Sequence, residues 1–152
     1  MEQLIFSLPD FINSDEFPIE YTGRGEDLSP EIVIGNLSTN AETLAVTLED
    51  ISHPIKNFTH WIIWNIPAAS KIERAIPKGK YVSDMGAAQG VAYGMHRYAG
   101  PKPPHGKTHK YRITVYALDC SINLPANKRK KHFLKKAENH ILQKGFLEYK
   151  FE

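Results

Sequence analysis

The 152-residue chain has a single cysteine, Cys120, no apolar run long enough to span a membrane, no internal repeat and no low-complexity tract. Each absence removes a class of protein. One thiol cannot close an internal disulfide, and it leaves no cysteine pair for a zinc cluster. The start, MEQLIFSLPDF, has neither a basic region nor a long apolar core, so the expectation is a cytoplasmic protein with no signal peptide and no transmembrane segment. Signatures of several enzyme classes are missing too. There is no GxSxG elbow and no HExxH pair. The stretch HGKTH at 105–109 fails as a phosphate loop, because Pro101 stands where its first glycine belongs and a strand pattern follows.

A hydrophobic content of 41% over 152 residues predicts one domain, 1–152, able to bury roughly 70% of its unfolded surface without a cofactor. The formal net charge is only +2, but the signs are unevenly placed. Residues 1–50 carry eleven acidic side chains against Arg24 alone, and the remainder carries eighteen basic against six acidic. The two halves should attract when packed. The same asymmetry allows a basic face to meet phosphate or the periphery of a membrane.

Along the chain, 3–8 reads as a first strand and Pro9 to Pro18 as a connection, with a turn at Asn13, Ser14 and Asp15. A short strand at Ile19 to Tyr21 leads into TGRGEDLSP, whose Gly23 and Gly25 form a turn rather than a phosphate loop. Strands follow at 31–34 and 43–48. The most apolar run, THWIIWNI at 59–66, suits a strand buried on both faces. Residues 67–90 are expected to be irregular, with one strand near Tyr81. Asn127 is a candidate cap for a helix reaching about Lys144, with Gly145 as its stop and an apolar face of Phe133, Leu134, Ala137, Ile141 and Leu142. Lys128, Arg129, Lys130 and Lys131 crowd its first turn, where the helix dipole disfavours cations. A closing strand is expected at 146–151.

The most distinctive stretch is YAGPKPPHGKTHKYRITVYALD, 98–119. Three prolines, two glycines and two histidines in its first twelve residues make a stiff loop, which feeds a strand at 111–118. Rigid loops on a scaffold commonly carry binding sites, although a tight connection whose prolines only block edge pairing has the same composition. A second loop, EDISHP at 49–54, precedes the apolar strand. If strands 43–48, 59–66 and 111–118 are neighbours, Asp50, His60 and His109 converge at one sheet edge. A carboxylate can orient an imidazole through one ring nitrogen while the other meets a ligand. With the Tyr111 hydroxyl, such a cluster suits phosphate or carboxylate oxygens.

Other chemistries fit less well. His105 and His109 have a helical metal interval, but PPHG precludes the helix, so no metal and no cofactor are expected. Acid–base chemistry by His and Asp is available by residue type, yet nothing names a nucleophile or a leaving group. The basic residues lack interleaved aromatics and the pI is 8.6, which argues against a nucleic-acid partner.

LAVTLEDISHP, HWIIWNIP and the 98–119 block together resemble the phosphatidylethanolamine-binding protein family, with the pattern most similar to its bacterial and archaeal, Raf-kinase-inhibitor-like branch. YTGRGEDLSPEIVI and ENHILQKGFLEYKF extend the resemblance over nearly the whole chain. It implies an all-β fold, an antiparallel Greek-key β-sandwich with peripheral helices, and a small pocket for phosphate-like anions or phospholipid headgroups. By motif position, Asp50 and Pro54 bound the family's DPDAP segment, His60 is the histidine before the apolar strand, Gly100, Pro101, Pro103 and Pro104 form GPxPP, and His109 and Tyr111 belong to HRY. The pocket implied is Asp50, Ser52, Pro54, His60, Gly100, Pro104, His109 and Tyr111. Ser52 replaces the second aspartate of DPDAP and Lys110 the arginine of HRY, so the ligand preference is expected to differ from that of relatives. The leading expectation is a non-catalytic binding protein. The alternatives are a protein-interaction module that inhibits a kinase or protease, and a His/Asp hydrolase. The oligomeric state is left open.

Overall fold

The computed structural model describes residues 1–11 and 13–152; Ile12, inside the expected 9–18 connection, lies outside the described residues. Among the described residues ten strands form: β1 (Glu2–Gln3), β2 (Phe6–Ser7), β3 (Ile32–Ile34), β4 (Thr43–Asp50), β5 (Phe58–Pro67), β6 (Lys71–Ile72), β7 (Tyr81–Val82), β8 (Ala87–Gln89), β9 (His109–Leu118) and β10 (Ile141–Phe151). One α-helix, α1 (Lys130–Ala137), and 3-10 turns at Pro9–Phe11 and Ile19–Tyr21 complete the elements. No helix among the described residues is long and apolar enough to cross a membrane.

Seven strands pair in the order β1-β10-β9-β4-β5-β8-β7, and β2-β3-β6 form a second sheet. Side-chain alternation sorts the large sheet into two faces. Leu44, Val46 and Leu48 of β4, with Tyr111, Ile113 and Val115 of β9, join Phe6, Ile34 and Ile72 of the small sheet in one core. Ala45, Tyr116 and Leu118 face the other way, onto Phe133 and Ala137 of α1. β5 contributes to both cores, Trp61 and Ile63 to the first and Ile62 and Trp64 to the second. That is the double-sided burial its apolar run predicts.

The mainly-β expectation holds, with five differences. The first strand, expected over 3–8, divides into β1 on the large sheet and β2 on the small one. Every strand pair is antiparallel except β1 with β10, which is parallel. Ile19–Tyr21 is a 3-10 turn rather than a strand, because Pro18 fixes the preceding φ at −61° and its carbonyl accepts the Tyr21 amide at 3.0 Å. In 67–90 there are three short strands rather than one. The expected helix over 127–144 shrinks to eight residues. Arg129 takes the N-cap position, where its amide donates to His132 Nδ1 at 3.2 Å, and Ile141 to Lys144 pair with β9 instead. Strand pairing against a long central neighbour overrides a helical apolar period.

Gly145 accordingly sits in the middle of β10 and stops no helix. A Cβ there would meet the Leu4 carbonyl oxygen at 2.0 Å, whereas one at Gly35 would find its nearest atom at 3.7 Å. Gly145→Ala should therefore lower stability by about 1–3 kcal/mol through backbone displacement, and Gly35→Ala should leave it nearly unchanged. Urea denaturation of both variants checks this difference.

Candidate functional site

Asp50 ends β4 opposite Tyr111 of β9 and Phe58 of β5. The chain then turns sharply through 51–57. The Ser52 amide donates to Asp50 Oδ1 at 2.9 Å, and the Ile51 amide donates to the Lys110 carbonyl at 2.9 Å. Ser52 Oγ accepts the Lys110 amide at 2.9 Å, so the hydroxyl that stands for the family's second aspartate pins the turn to β9. The other Asp50 oxygen, Oδ2, accepts from His109 Nδ1 at 2.6 Å. The carboxylate is 3% exposed, and hydrogen bonds to both its oxygens are what make that burial tolerable.

His60 reaches the site through a β-bulge. Leu48 pairs with Trp61 and Glu49 with Thr59, so His60 is the extra residue of β5 with no partner on β4. Trp61 packs on Tyr98, with ring centroids 5.3 Å apart, while His60 Nδ1–H donates to the adjacent Ala99 carbonyl at 2.8 Å. Neighbouring strand residues normally face opposite ways; the extra residue lets both meet the same loop. His60 packs edge-on against Tyr111 at 5.5 Å and Phe58 at 5.6 Å, and tilts over Tyr93 at 4.9 Å. Tyr93 and Gly94 hold φ of 53° and 69° between paired Ala92 and Met95, the geometry of a tight two-residue hairpin turn.

The proline-rich loop is clamped from the N-terminal half. Asp27 Oδ1 accepts the Gly100 amide at 2.7 Å, and Oδ2 lies 3.1 Å from Arg97. Tyr98 hydroxyl donates to the Tyr21 carbonyl at 2.6 Å, and the Gly23 amide donates to the Pro101 carbonyl at 2.9 Å. Arg24 donates to the Pro103 and Glu152 carbonyls. The TGRGED segment is therefore a brace for the loop. A Cβ on Gly100 would lie 2.4 Å from the Tyr21 carbonyl oxygen, so the position demands glycine.

Burial pushes the His60 pKa below its usual 6.5, against the opposing pull of the Ala99 carbonyl and Asp50. The ring is neutral at pH 7, with its proton on Nδ1 and a lone pair on Nε2. Burial, then the Asp50 charge, raises the Tyr111 hydroxyl far above its usual value and keeps it a donor. Asp50, His60, His109 and Tyr111 thus come together as expected, and Gly100 packs behind them. Pro54, Ser52 and Pro104 lie on exposed flanking turns.

Phe58, Tyr93, Asp27, Arg24 and the Ala99 carbonyl were not anticipated as parts of this constellation. Asp27 and Arg24 fall inside the motif YTGRGEDLSPEIVI, which was a signal; the bulge at His60 leaves none in a single sequence. Among the described residues, the one trio spaced to hold a metal ion is Asp119, Cys120 and His140. It sits past the far end of β9 and plays no part here.

A family model described as phosphatidylethanolamine-binding protein matches residues 7–152. A UPF0098 protein of Pyrococcus horikoshii is 39% identical over 140 residues, covering 90% of this chain and 71% of the relative. One from Pyrococcus abyssi is 36% identical over 149 residues, covering 96% and 84%. The crystal structure of E. coli YbcL, described as a new member of the mammalian PEBP family, matches with a TM-score of 0.85 at 20% identity, over 99% of this chain and 98% of that one. At that identity the likeness concerns the fold. The chain belongs to the phosphatidylethanolamine-binding protein family and shares its binding-protein kind of function.

Proposed function

We propose that Asp50, His60, His109 and Tyr111 form a pocket that holds one small phosphate-bearing anion, a phosphate monoester or a phospholipid headgroup, without transforming it. The observation that carries the reading is the pair of imidazoles flanking Tyr111, each tied back through Nδ1, to Asp50 and to Ala99. In both rings Nε2 has no hydrogen-bond partner among the described residues. A tethered imidazole of fixed tautomer with a free Nε2 is a directed ligand group. The two rings complement each other. Neutral His60 accepts a hydrogen bond, as from the remaining hydroxyl of a monoprotonated phosphate ester or from an ethanolamine ammonium group. Tyr111 donates, and so does His109 when protonated.

Binding rather than turnover is favoured by what surrounds the pair. Both Asp50 oxygens are engaged, and Ser52 Oγ serves the Lys110 amide. Cys120 lies beyond the opposite end of β9, its thiol pKa raised by desolvation and by Asp119. Among the described residues, no serine, threonine or cysteine side chain is hydrogen-bonded to either histidine as an activated nucleophile would be. The core shared by the two sheets supports the finer architectural reading, a Greek-key sandwich in which the pocket sits at one end.

Titration with phosphoethanolamine should shift the imidazole NMR signals of His60 and His109 saturably, and His109→Ala should abolish saturation. No shift at millimolar ligand would contradict the assignment. A second expectation concerns pH. With its folded pKa below 6.5, His60 binds its proton less tightly folded than unfolded. Above the unfolded value it contributes no pH dependence; as pH falls below 6.5 it lowers stability, until the folded value is passed. Melting temperatures of the wild type and His60→Gln, compared from about pH 7.5 to 5, should show the smaller decline in the variant.

A further inference from the structure

Behind the anion cluster, on the opposite face of the large sheet, lies a half-open groove of about 890 Å³. Its floor is formed by Glu49, Thr59, Arg112 and Tyr116, the β4, β5 and β9 residues that alternate with those of the anion site. One wall comes from the 51–58 turn and the Tyr93 hairpin, the other from the first turns of α1. Phe58 and Tyr93, which touch His60 on one side, line the groove on the other. The two sites therefore stand back to back with a shared aromatic partition.

The groove has two chemical characters. Ile51, Ile55 and Tyr93 line it and are 38%, 62% and 51% exposed. They are three of the eight large hydrophobic side chains exposed among the described residues, so apolar exposure is concentrated here. The cations are a mixture of paired and free. Lys130 pairs with Glu49, both side chains largely buried, and Arg112 with Glu148 at 2.6 Å. Arg129, Lys131 and Lys144 have no carboxylate partner among the described residues, and Lys144 Nζ lies 5.7 Å from the Tyr116 ring centre. With Glu49, its one lining carboxylate among the described residues, paired to Lys130, and Arg112 paired to Glu148 outside it, the groove retains an excess of positive charge beside an apolar wall. The dipole of α1 adds to that charge, since the helix begins at Lys130. Lys128 to Lys131 were conspicuous in the sequence, and the anion cluster gives them no role.

We propose that this groove is a second binding site, independent of the Asp50–His109 pocket, and that it takes an anionic amphiphile: a carboxylate, sulfate or phosphate head on a short apolar chain or ring. The head meets Arg129, Lys131 and Lys144, and the apolar body lies on Ile51, Ile55 and Tyr93. The volume is that of a small-molecule site, for which about 300–1,000 Å³ is usual. Charge complementarity selects the head, and the exposed apolar wall rejects a simple inorganic anion.

The test uses decanoate, below its micelle concentration, and decanol as its uncharged counterpart, with amide NMR of the whole chain as the readout. Decanoate should give saturable shifts in 51–58, 91–94 and 129–134. Affinity should fall about tenfold for decanol, for Ile55→Asp and for the double variant Arg129→Glu with Lys131→Glu. These three positions are exposed, so the fold should tolerate the changes, and unchanged circular dichroism confirms that it does. His109→Ala should leave decanoate binding intact while abolishing phosphoethanolamine binding, which separates failure here from failure of the anion pocket. Equal affinity for decanol, shifts confined to the residues around Asp50 and His109, or no saturation would overturn the proposal. So would displacement of decanoate by a single-stranded oligonucleotide binding more tightly to the same residues, which would reassign the groove to a polymer.

Discussion

The 2.6 Å hydrogen bond from His109 Nδ1 to the buried Asp50 carboxylate fixes much of what surrounds it. A carboxylate at 3% exposure is costly unless its oxygens are satisfied. Here one oxygen is taken by its own turn and the other by the first residue of a neighbouring strand. The charge thus joins the end of β4 to the start of β9 at the place where the sheet opens. It also orients the His109 ring through Nδ1 and leaves Nε2 without a hydrogen-bond partner among the described residues. His60 arrives from the third strand by a different device, a bulge, and is fixed by a backbone carbonyl instead of a charge. Two histidines, both tethered through Nδ1, therefore differ in electrical character, one beside an anion and one beside a neutral dipole.

The loop that supplies that carbonyl owes its rigidity to distant parts of the chain. Prolines limit its conformations, but its position is set by Asp27, Arg24 and Tyr21. The same arrangement accounts for the uneven charge of the sequence. Five of the seven lysine or arginine ion pairs among the described residues join the first fifty residues to the remainder: Glu31 with Lys71, Glu20 with Arg74, Asp27 with Arg97, Glu49 with Lys130 and Asp15 with Lys150. Several are exposed and individually weak. Their shared direction nevertheless shows that part of the asymmetry is resolved inside the molecule, while most cations of the second half, Arg129 and Lys131 at the start of α1 among them, have no carboxylate partner among the described residues.

Legibility in the sequence followed the reach of each interaction. Strands β4, β5 and β9 were visible because their apolar patterns are long and their burial is decided locally. Asp50, His60, His109 and Tyr111 were visible as residue types, but their convergence depended on which strands pair, and the family resemblance was what implied one shared site. The last helix was overestimated because Ile141 and Leu142 continue a helical period, whereas β9 offers their backbone a ladder of hydrogen bonds that no local pattern reveals. Gly145 was read as a helix stop for the same reason; its actual constraint is the Leu4 backbone, more than a hundred residues away in sequence. The bulge at His60, the left-handed turn at Tyr93 and the groove beneath α1 all arise from pairing register and layer packing. No window of sequence contains those.

We propose that two histidines, each tethered through Nδ1, hold one small phosphate-bearing anion together with Tyr111. A crystal structure of the protein soaked with phosphoethanolamine tests it most directly. The account predicts phosphate density within hydrogen-bonding distance of His60 Nε2, His109 Nε2 and the Tyr111 hydroxyl, with the Asp50–His109 bond intact. Density confined to another surface, or an empty pocket at saturating ligand, would contradict it.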